Sequence, residues 1–174
     1  YFTNSYTLVS GSKLIGPGAF TQTGGTLSLT SLDATAFNWS SGNWNGAGTS
    51  VVGSGTVLNL ISGSSKDFDS RQITNAGVVN WSLGYIRAGH GSIFTNAAGA
   101  TFNDLNASGY TVQNPFGGAF TFINDGTYVR NVGNTTYFDT PFENNGVVNL
   151  QQGGIQIRQG GTMSASSVVN ASAG

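Results

Sequence analysis

The chain has 174 residues, enough for one domain with a continuous core, and only 7% are charged, for a formal net charge of −1. That balance excludes long-range attraction to nucleic acid or anionic lipid, while 38% hydrophobic and 11% aromatic residues exclude a chain that stays unfolded. The absence of Cys excludes disulfide staples and thiolate metal sites.

Taken in order, the chain opens at Tyr1 rather than Met, and its first residues do not read as a signal peptide. The expectation is a mature product or an excised fragment of a longer chain. Tyr1–Val9 reads as a strand. The stretches Tyr6–Phe20 and Asp33–Thr49 fit the later pattern poorly. Between and after them come short alternating runs, Gly25-Thr26-Leu27-Ser28-Leu29 and Gly55-Thr56-Val57-Leu58-Asn59-Leu60. No segment has a 3.6-residue apolar period, and no apolar run is long enough for a transmembrane helix.

From Arg71 to Gly161 one phrase recurs: an apolar residue, one residue, Asn, one or two residues, Gly. It reads Ile73-Thr74-Asn75-Ala76-Gly77, Phe94-Thr95-Asn96-Ala97-Ala98-Gly99, Phe122-Ile123-Asn124-Asp125-Gly126 and Phe142-Glu143-Asn144-Asn145-Gly146, with Asn steps of 21, 28 and 20 residues. Self-similarity at this period marks a solenoid or array. After Gly146, Val148, Leu150, Ile155 and Ile157 are expected to face inward, with turns at Gly153-Gly154 and Gly160-Gly161. Val79, Trp81 and Ile86 hold the same offsets from Gly77 and are expected inside. The longer Asn96–Asn124 step predicts a loop bulging at Leu105–Gly118.

Two or three short strands per repeat suit one coil of a parallel β-helix. The predicted fold is all-β, a right-handed parallel β-helix of roughly seven or eight coils with no helical domain, spanning 1–174 as a single domain. Coils about 4.8 Å apart give a rod on the order of 35 Å long. Asn75, Asn96, Asn124 and Asn144 are expected to stack as an amide ladder. The preceding Ile or Phe stacks in the core, and Gly77, Gly99, Gly126 and Gly146 supply φ > 0 at the turns.

The Phe-x-Asn-x-Gly coils lead into Gly153-Gly154-Ile155-Gln156-Ile157, with Phe37-Asn38-Trp39-Ser40-Ser41-Gly42 and Gly46-Ala47-Gly48-Thr49 upstream. Over about Ala36 to Thr162 this pattern resembles the β-strand repeats of large secreted bacterial surface proteins. These are similar to autotransporter passengers and filamentous-haemagglutinin-type adhesins, which are right-handed β-helices. The resemblance implies an extracellular, structural or adhesive role at a cell surface and carries over no catalytic residue.

Chemistry-bearing constellations are sparse. Asp67 and Asp69, at i and i+2 of a strand, share a face, and between Lys66 and Arg71 they read as an ion-paired edge more readily than a Ca²⁺ or glycosidase pair. The other acids, Asp33, Asp104, Asp125, Asp139 and Glu143, are scattered. Arg87, Arg130 and Arg158 read as surface residues limiting lateral association of the rod. His90, the only His, sits in the turn Ala88-Gly89-His90-Gly91-Ser92 and makes no motif with Ser92. Walker, dinucleotide and Gly-Gly-x-Gly-x-Asp patterns are absent. No catalytic residue, metal ligand or cofactor is expected. Asn-x-Ser/Thr triplets at Asn38, Asn80, Asn106, Asn134 and Asn170 are what chance supplies in so Asn-rich a chain.

Trp39, Trp44, Tyr85, Tyr110, Tyr128 and Tyr137 are candidates to stack on sugar rings, against a competing expectation that the Trp residues are packed inside. The leading functional expectation is a non-enzymatic extracellular structural or adhesive module. Its expected partner is itself, head to tail through solenoid ends that lack caps, or the neighbouring repeats of a longer chain. Glycan or surface binding is the alternative. Ice binding is weaker because Thr21-Gln22-Thr23 is isolated, and a β-helical polysaccharide-degrading enzyme comes third. Neither nucleic-acid binding nor membrane insertion is expected.

Overall fold

A computed structural model describes residues 1–8 and 12–172. The described residues contain no helix, and their strands pair in parallel with the strands one coil before and after. The result is the predicted β-solenoid, with about eight turns. Each full coil contributes three walls. The first wall carries the Asn phrase: Thr49–Val52, Gln72–Asn75, Ser92–Asn96, Phe120–Asn124, Phe142–Asn144 and Gly161–Met163. The second carries Val57–Leu60, Val78–Trp81, Thr101–Asp104 and Val168–Ala171. The third carries Lys66–Asp69, Ile86–Gly89 and Thr111–Gln113. Four long strands bend through corners: Lys13–Ser28 and Ser31–Asn43 run across all three walls, and Thr127–Asp139 and Val147–Ile157 serve the second and third.

The described residues of the poorly fitting N-terminal stretches are solenoid too. Phe37 and Trp39 pair in register with Leu58 and Leu60. Within Tyr1–Val9 the strand is short: Tyr6–Thr7 pairs with Leu27 and Ser28, and Phe2 makes one bridge to Gln22. Val9 lies outside the described residues.

Alternation decides what is inside. In Gln72–Asn75 and Val78–Trp81, every second residue is buried, the signature of a strand with one face on a core. On the first wall Ile73, Phe94, Phe122 and Phe142 occupy one register column. The Phe94–Phe122 and Phe122–Phe142 rings stack with centroids 5.0 and 5.5 Å apart. Phe102, Tyr128 and Phe138 meet Phe122 edge-on. Each fully buried ring contributes roughly 2–3 kcal/mol by removal from water, and the edge and offset contacts add to that. Trp81 is inside, as its offset from Gly77 predicts, and so are Val79 and Ile86.

Two expectations need correction. Of the four turn glycines only Gly99 has a positive φ, of 83°. Gly77, Gly126 and Gly146 are needed in the phrase for space: a Cβ would collide with carbonyl oxygens of Gly53, Ala97 and Gly126 respectively. Successive corners stack backbone on backbone, so a side chain has no room even where φ permits one. The longer Asn96–Asn124 step is also not one loop. Asn96 to Thr101 is five residues where Asn75 to Val78 is three, Thr101 to Val112 is 11 where Val78 to Ile86 is eight, and Val112 to Phe120 is eight where Ile86 to Ser92 is six. The excess is shared by three corners, and Val112, inside the predicted loop, is a fully buried strand residue.

Candidate functional site

The Asn phrase builds an internal ladder. Asn75, Asn96, Asn124 and Asn144 all point inward at the end of the first wall and are completely buried. Asn75 Nδ2 donates to Asn96 Oδ1, Asn96 to Asn124 and Asn124 to Asn144, each at 2.8 Å. The second hydrogen of each Nδ2 goes to a second-wall carbonyl, of Thr101, Thr127 or Val147. The first oxygen accepts from the Gly77 backbone N–H. At the last rung the next register position is Met163, and Asn144 Nδ2 is buried with no hydrogen-bond partner among the described residues.

A second asparagine ladder runs up the outside of the second wall. Asn59 donates to Asn38, Asn80 to Asn59 and Asn103 to Asn80, at 3.0, 3.0 and 2.9 Å, and Asn170 donates to Asn149 at 2.8 Å. Val129 holds the register position between Asn103 and Asn149 and interrupts the row. Sequence reasoning missed this ladder, although Asn80 and Asn149 both stand three residues beyond a phrase glycine.

The charged residues sort into two sets. On the outside of the third wall, Asp67 accepts from Arg87 Nε and Nη2 at 2.8 and 2.7 Å, and Asp69 lies 2.9 Å from His90 Nδ1. Asp139 pairs with Arg158 at 3.2 Å. The two aspartates share a face as expected, but their partners come from the next coil and not from Lys66 or Arg71. Both of those are buried, with Lys66 Nζ donating to the carbonyls of Ser62 and Ser64 at 3.3 and 2.5 Å. Burial lowers the Lys66 pKa to about 8, against a smaller opposing pull from Asp67.

Arg130 is not a surface residue. It stands in the inner column of Trp81, Asp104 and Leu150, completely buried. Asp104 Oδ2 accepts from Arg130 Nη1 at 2.7 Å and from the Tyr128 and Thr136 hydroxyls at 2.6 Å each. Burial, then the adjacent Asp104 carboxylate, raises the Tyr128 pKa well above its ordinary value. This cluster replaces apolar packing across two coils with a buried ion pair, which leaves Arg130 Nε without a hydrogen-bond partner among the described residues and holds only while both charged partners are present.

The glycan-stacking candidates also divide. Trp39, Trp44 and Tyr128 are buried. Trp39 and Trp44 stack on each other with centroids 4.2 Å apart, and their indole N–H groups donate to Gly42 O and Gln22 Oε1. No sugar ring can reach them. Tyr137 is covered by Arg158, whose guanidinium carbon lies 3.9 Å from the ring centroid. Tyr85 and Tyr110 form an edge-to-face pair on the surface, 4.9 Å apart, with Tyr85 37% exposed.

The solenoid ends differ from its walls. Among the described residues, the exposed large hydrophobic side chains of the middle coils are Leu83 and Tyr85, at one corner; the others belong to the first coils, Tyr1, Tyr6 and Ile15, or to the last, Ile157, Met163, Val168 and Val169, of which Ile15 and Val168 stand in the outward columns of Asp33 and Val147. At the last coil Leu150, Ile155, Ile157, Met163 and Val169 line an open apolar concavity of about 370 Å³. Ile155 and Ile157 face inward as predicted, but no further third-wall strand covers them among the described residues, and Ile157 stays 41% exposed.

Comparison with family models, with curated proteins and with solved structures finds no match. No helix among the described residues is long and apolar enough to cross a membrane.

Proposed function

We propose that this chain is a non-enzymatic, extracellular structural module that extends by stacking a further β-coil on its ends, with a second copy of itself as partner. The distribution of exposed apolar side chains carries the reading. The walls are polar and neutral, while the two end coils present apolar side chains and strand edges. An open strand edge beside an apolar face is a template for pairing. Contact of one end with the opposite end of another copy is heterologous and does not close, so it propagates a fibre. The unpartnered Asn144 amide and the Ile157 side chain both lie toward the C-terminal face. A coil added there continues the inner apolar columns.

Negative-stain electron microscopy of the purified chain across a concentration series tests this. Fibres of uniform width, lengthening with concentration, are expected. Monodisperse short rods at every concentration would exclude self-stacking. Placing charge in the concavity, by Ile157→Glu with Met163→Lys, is expected to abolish fibres while leaving the far-ultraviolet β signal intact.

A second reading rests on the exposed Tyr85–Tyr110 pair beside Leu83. It supports a glycan-binding wall, because aromatic faces stack on sugar rings. Loss of glycan-array binding in Tyr85→Ala is the expected outcome under this reading.

A further inference from the structure

We propose that Arg71 is the recognition group of a carboxylate-binding pocket near the N-terminal end of the solenoid. The pocket is a concavity of about 420 Å³ at the corner leading into the first wall, lined by Arg71 with Leu8, Leu29, Thr30, Gly48 and Thr49 among others.

Arg71 is only 5% exposed, yet no carboxylate lies within ion-pair distance of it among the described residues. Its Nη1 donates to Leu29 O at 3.0 Å and Ser50 Oγ at 2.8 Å. These bonds anchor one side of the guanidinium. Among the described residues the other edge has no partner: Nε is buried without a hydrogen-bond partner, and no hydrogen bond is found for Nη2. Nε and Nη2 are the parallel N–H pair that matches the two oxygens of a carboxylate. Gly48 flanks the guanidinium: a Cβ there would stand 3.9 Å from both Nη1 and Nη2, in ordinary van der Waals contact.

The other buried cations show why this one is different. Arg130 is neutralised by Asp104 at 2.7 Å. Lys66 lacks a carboxylate but gives its hydrogens to two carbonyls. Arg71 keeps an unmatched charge and an unmatched pair of donors. Desolvation alone lowers its pKa, with no anion opposing the shift. A bound carboxylate would supply both the countercharge and the missing acceptors. The threonine hydroxyls and leucine side chains in the lining suit a small hydroxylated acid, such as a uronic acid.

The inference is independent of end stacking: a chain that forms no fibres would leave it intact. The test is nuclear magnetic resonance of the four arginine Nε–Hε groups in the native protein. Sodium acetate, sodium galacturonate and sodium chloride are titrated at matched ionic strength. A saturable shift of the Arg71 resonance is expected with both carboxylates and not with chloride. Galacturonate is expected to half-saturate at a concentration at least fivefold lower than acetate. No saturable shift at Arg71 by about 50 mM carboxylate, a concentration that detects binding even in the millimolar range, would overturn the proposal. An equal shift in chloride, or a shift confined to Arg87 and Arg158, would overturn it too. Arg71→Lys keeps the charge but removes the fork, and is expected to weaken carboxylate binding at least tenfold. The native titration stands by itself if that variant does not fold.

Discussion

The molecule stacks asparagine twice, once inside and once outside, and the two stacks obey different rules. The internal ladder is completely buried, and each of its first three Nδ2 groups makes one amide and one backbone bond. The wall ladder has similar side-chain distances but is half-exposed and makes no equivalent backbone bonds. Outside, water replaces any bond that is lost, so a single bond contributes only about 0.5–1.5 kcal/mol and Val129 can interrupt the row. Inside, a missing rung strands its neighbours without solvent. Geometry alone does not distinguish the ladders. The solvent around them does, and the same division separates the buried Asp104–Arg130 pair from the surface pairs.

The largest expected effect breaks the buried side of that comparison at its most charged point. Asp104→Asn leaves Arg130 buried without its countercharge, and a loss of about 3–5 kcal/mol is expected in chemical denaturation. Next, Asn124→Ala removes a rung bonded to both neighbours, so that one Asn96 Nδ2 hydrogen loses its acceptor and Asn144 Oδ1 and the Val147 carbonyl lose the donor that Asn124 supplied. A loss of about 3 kcal/mol is expected, with the unfolding midpoint as the readout.

Lys66 supplies a pH-dependent member of the buried set. Its folded pKa, about 8, lies below its ordinary 10.5, so between those values the unfolded chain binds more protons than the folded one. Stability therefore rises with pH from about 8 to 10, by roughly 1–2 kcal/mol, and below pH 8 the full cost of the buried charge is present. Tyr128 acts in the opposite sense. Its folded pKa is raised, so above about pH 10 the unfolded chain loses a proton that the folded chain keeps, and stability falls. Thermal melts of the parent chain are expected to peak near pH 10. Lys66→Met is expected to remove the rise between 8 and 10 but keep the fall above 10; an unchanged rise would refute the assignment to Lys66.

The smallest effects sharpen the outer side. Asn80→Ala is expected to cost about 0.5 kcal/mol despite removing two ladder bonds, because both groups left behind meet water. Val129→Asn is expected to join the two wall segments and raise stability by a few tenths of a kcal/mol, read as a small increase in melting temperature.

Much of the architecture was legible because a stacked coil repeats its own rules. The Asn phrase located the internal ladder, the Phe column and the inward Trp81 without any structure. The same frame, pursued further, also reaches what was missed. Trp81 and Leu150 stand four residues past Gly77 and Gly146, and Arg130 stands four past Gly126. The period put Arg130 inside; its charge argued for the surface. A buried arginine is acceptable only where a carboxylate awaits it, and Asp104 is 26 positions away in sequence but adjacent in register. Trp39, Trp44 and Tyr128 failed as sugar platforms for a related reason: side-chain type suggests a role, while wall parity decides which face the side chain occupies.

Period, alternation and low charge by themselves determined that this chain coils into a parallel solenoid with asparagine and phenylalanine columns. These are local rules, repeated about every 21 residues, and each coil inherits its register from its neighbour. The third dimension alone decided which glycines are needed for space rather than for φ, which charges find partners, and that Arg71 is left with half of its guanidinium unmatched. Those outcomes depend on atoms one coil away, and linear sequence does not measure distance across a stack.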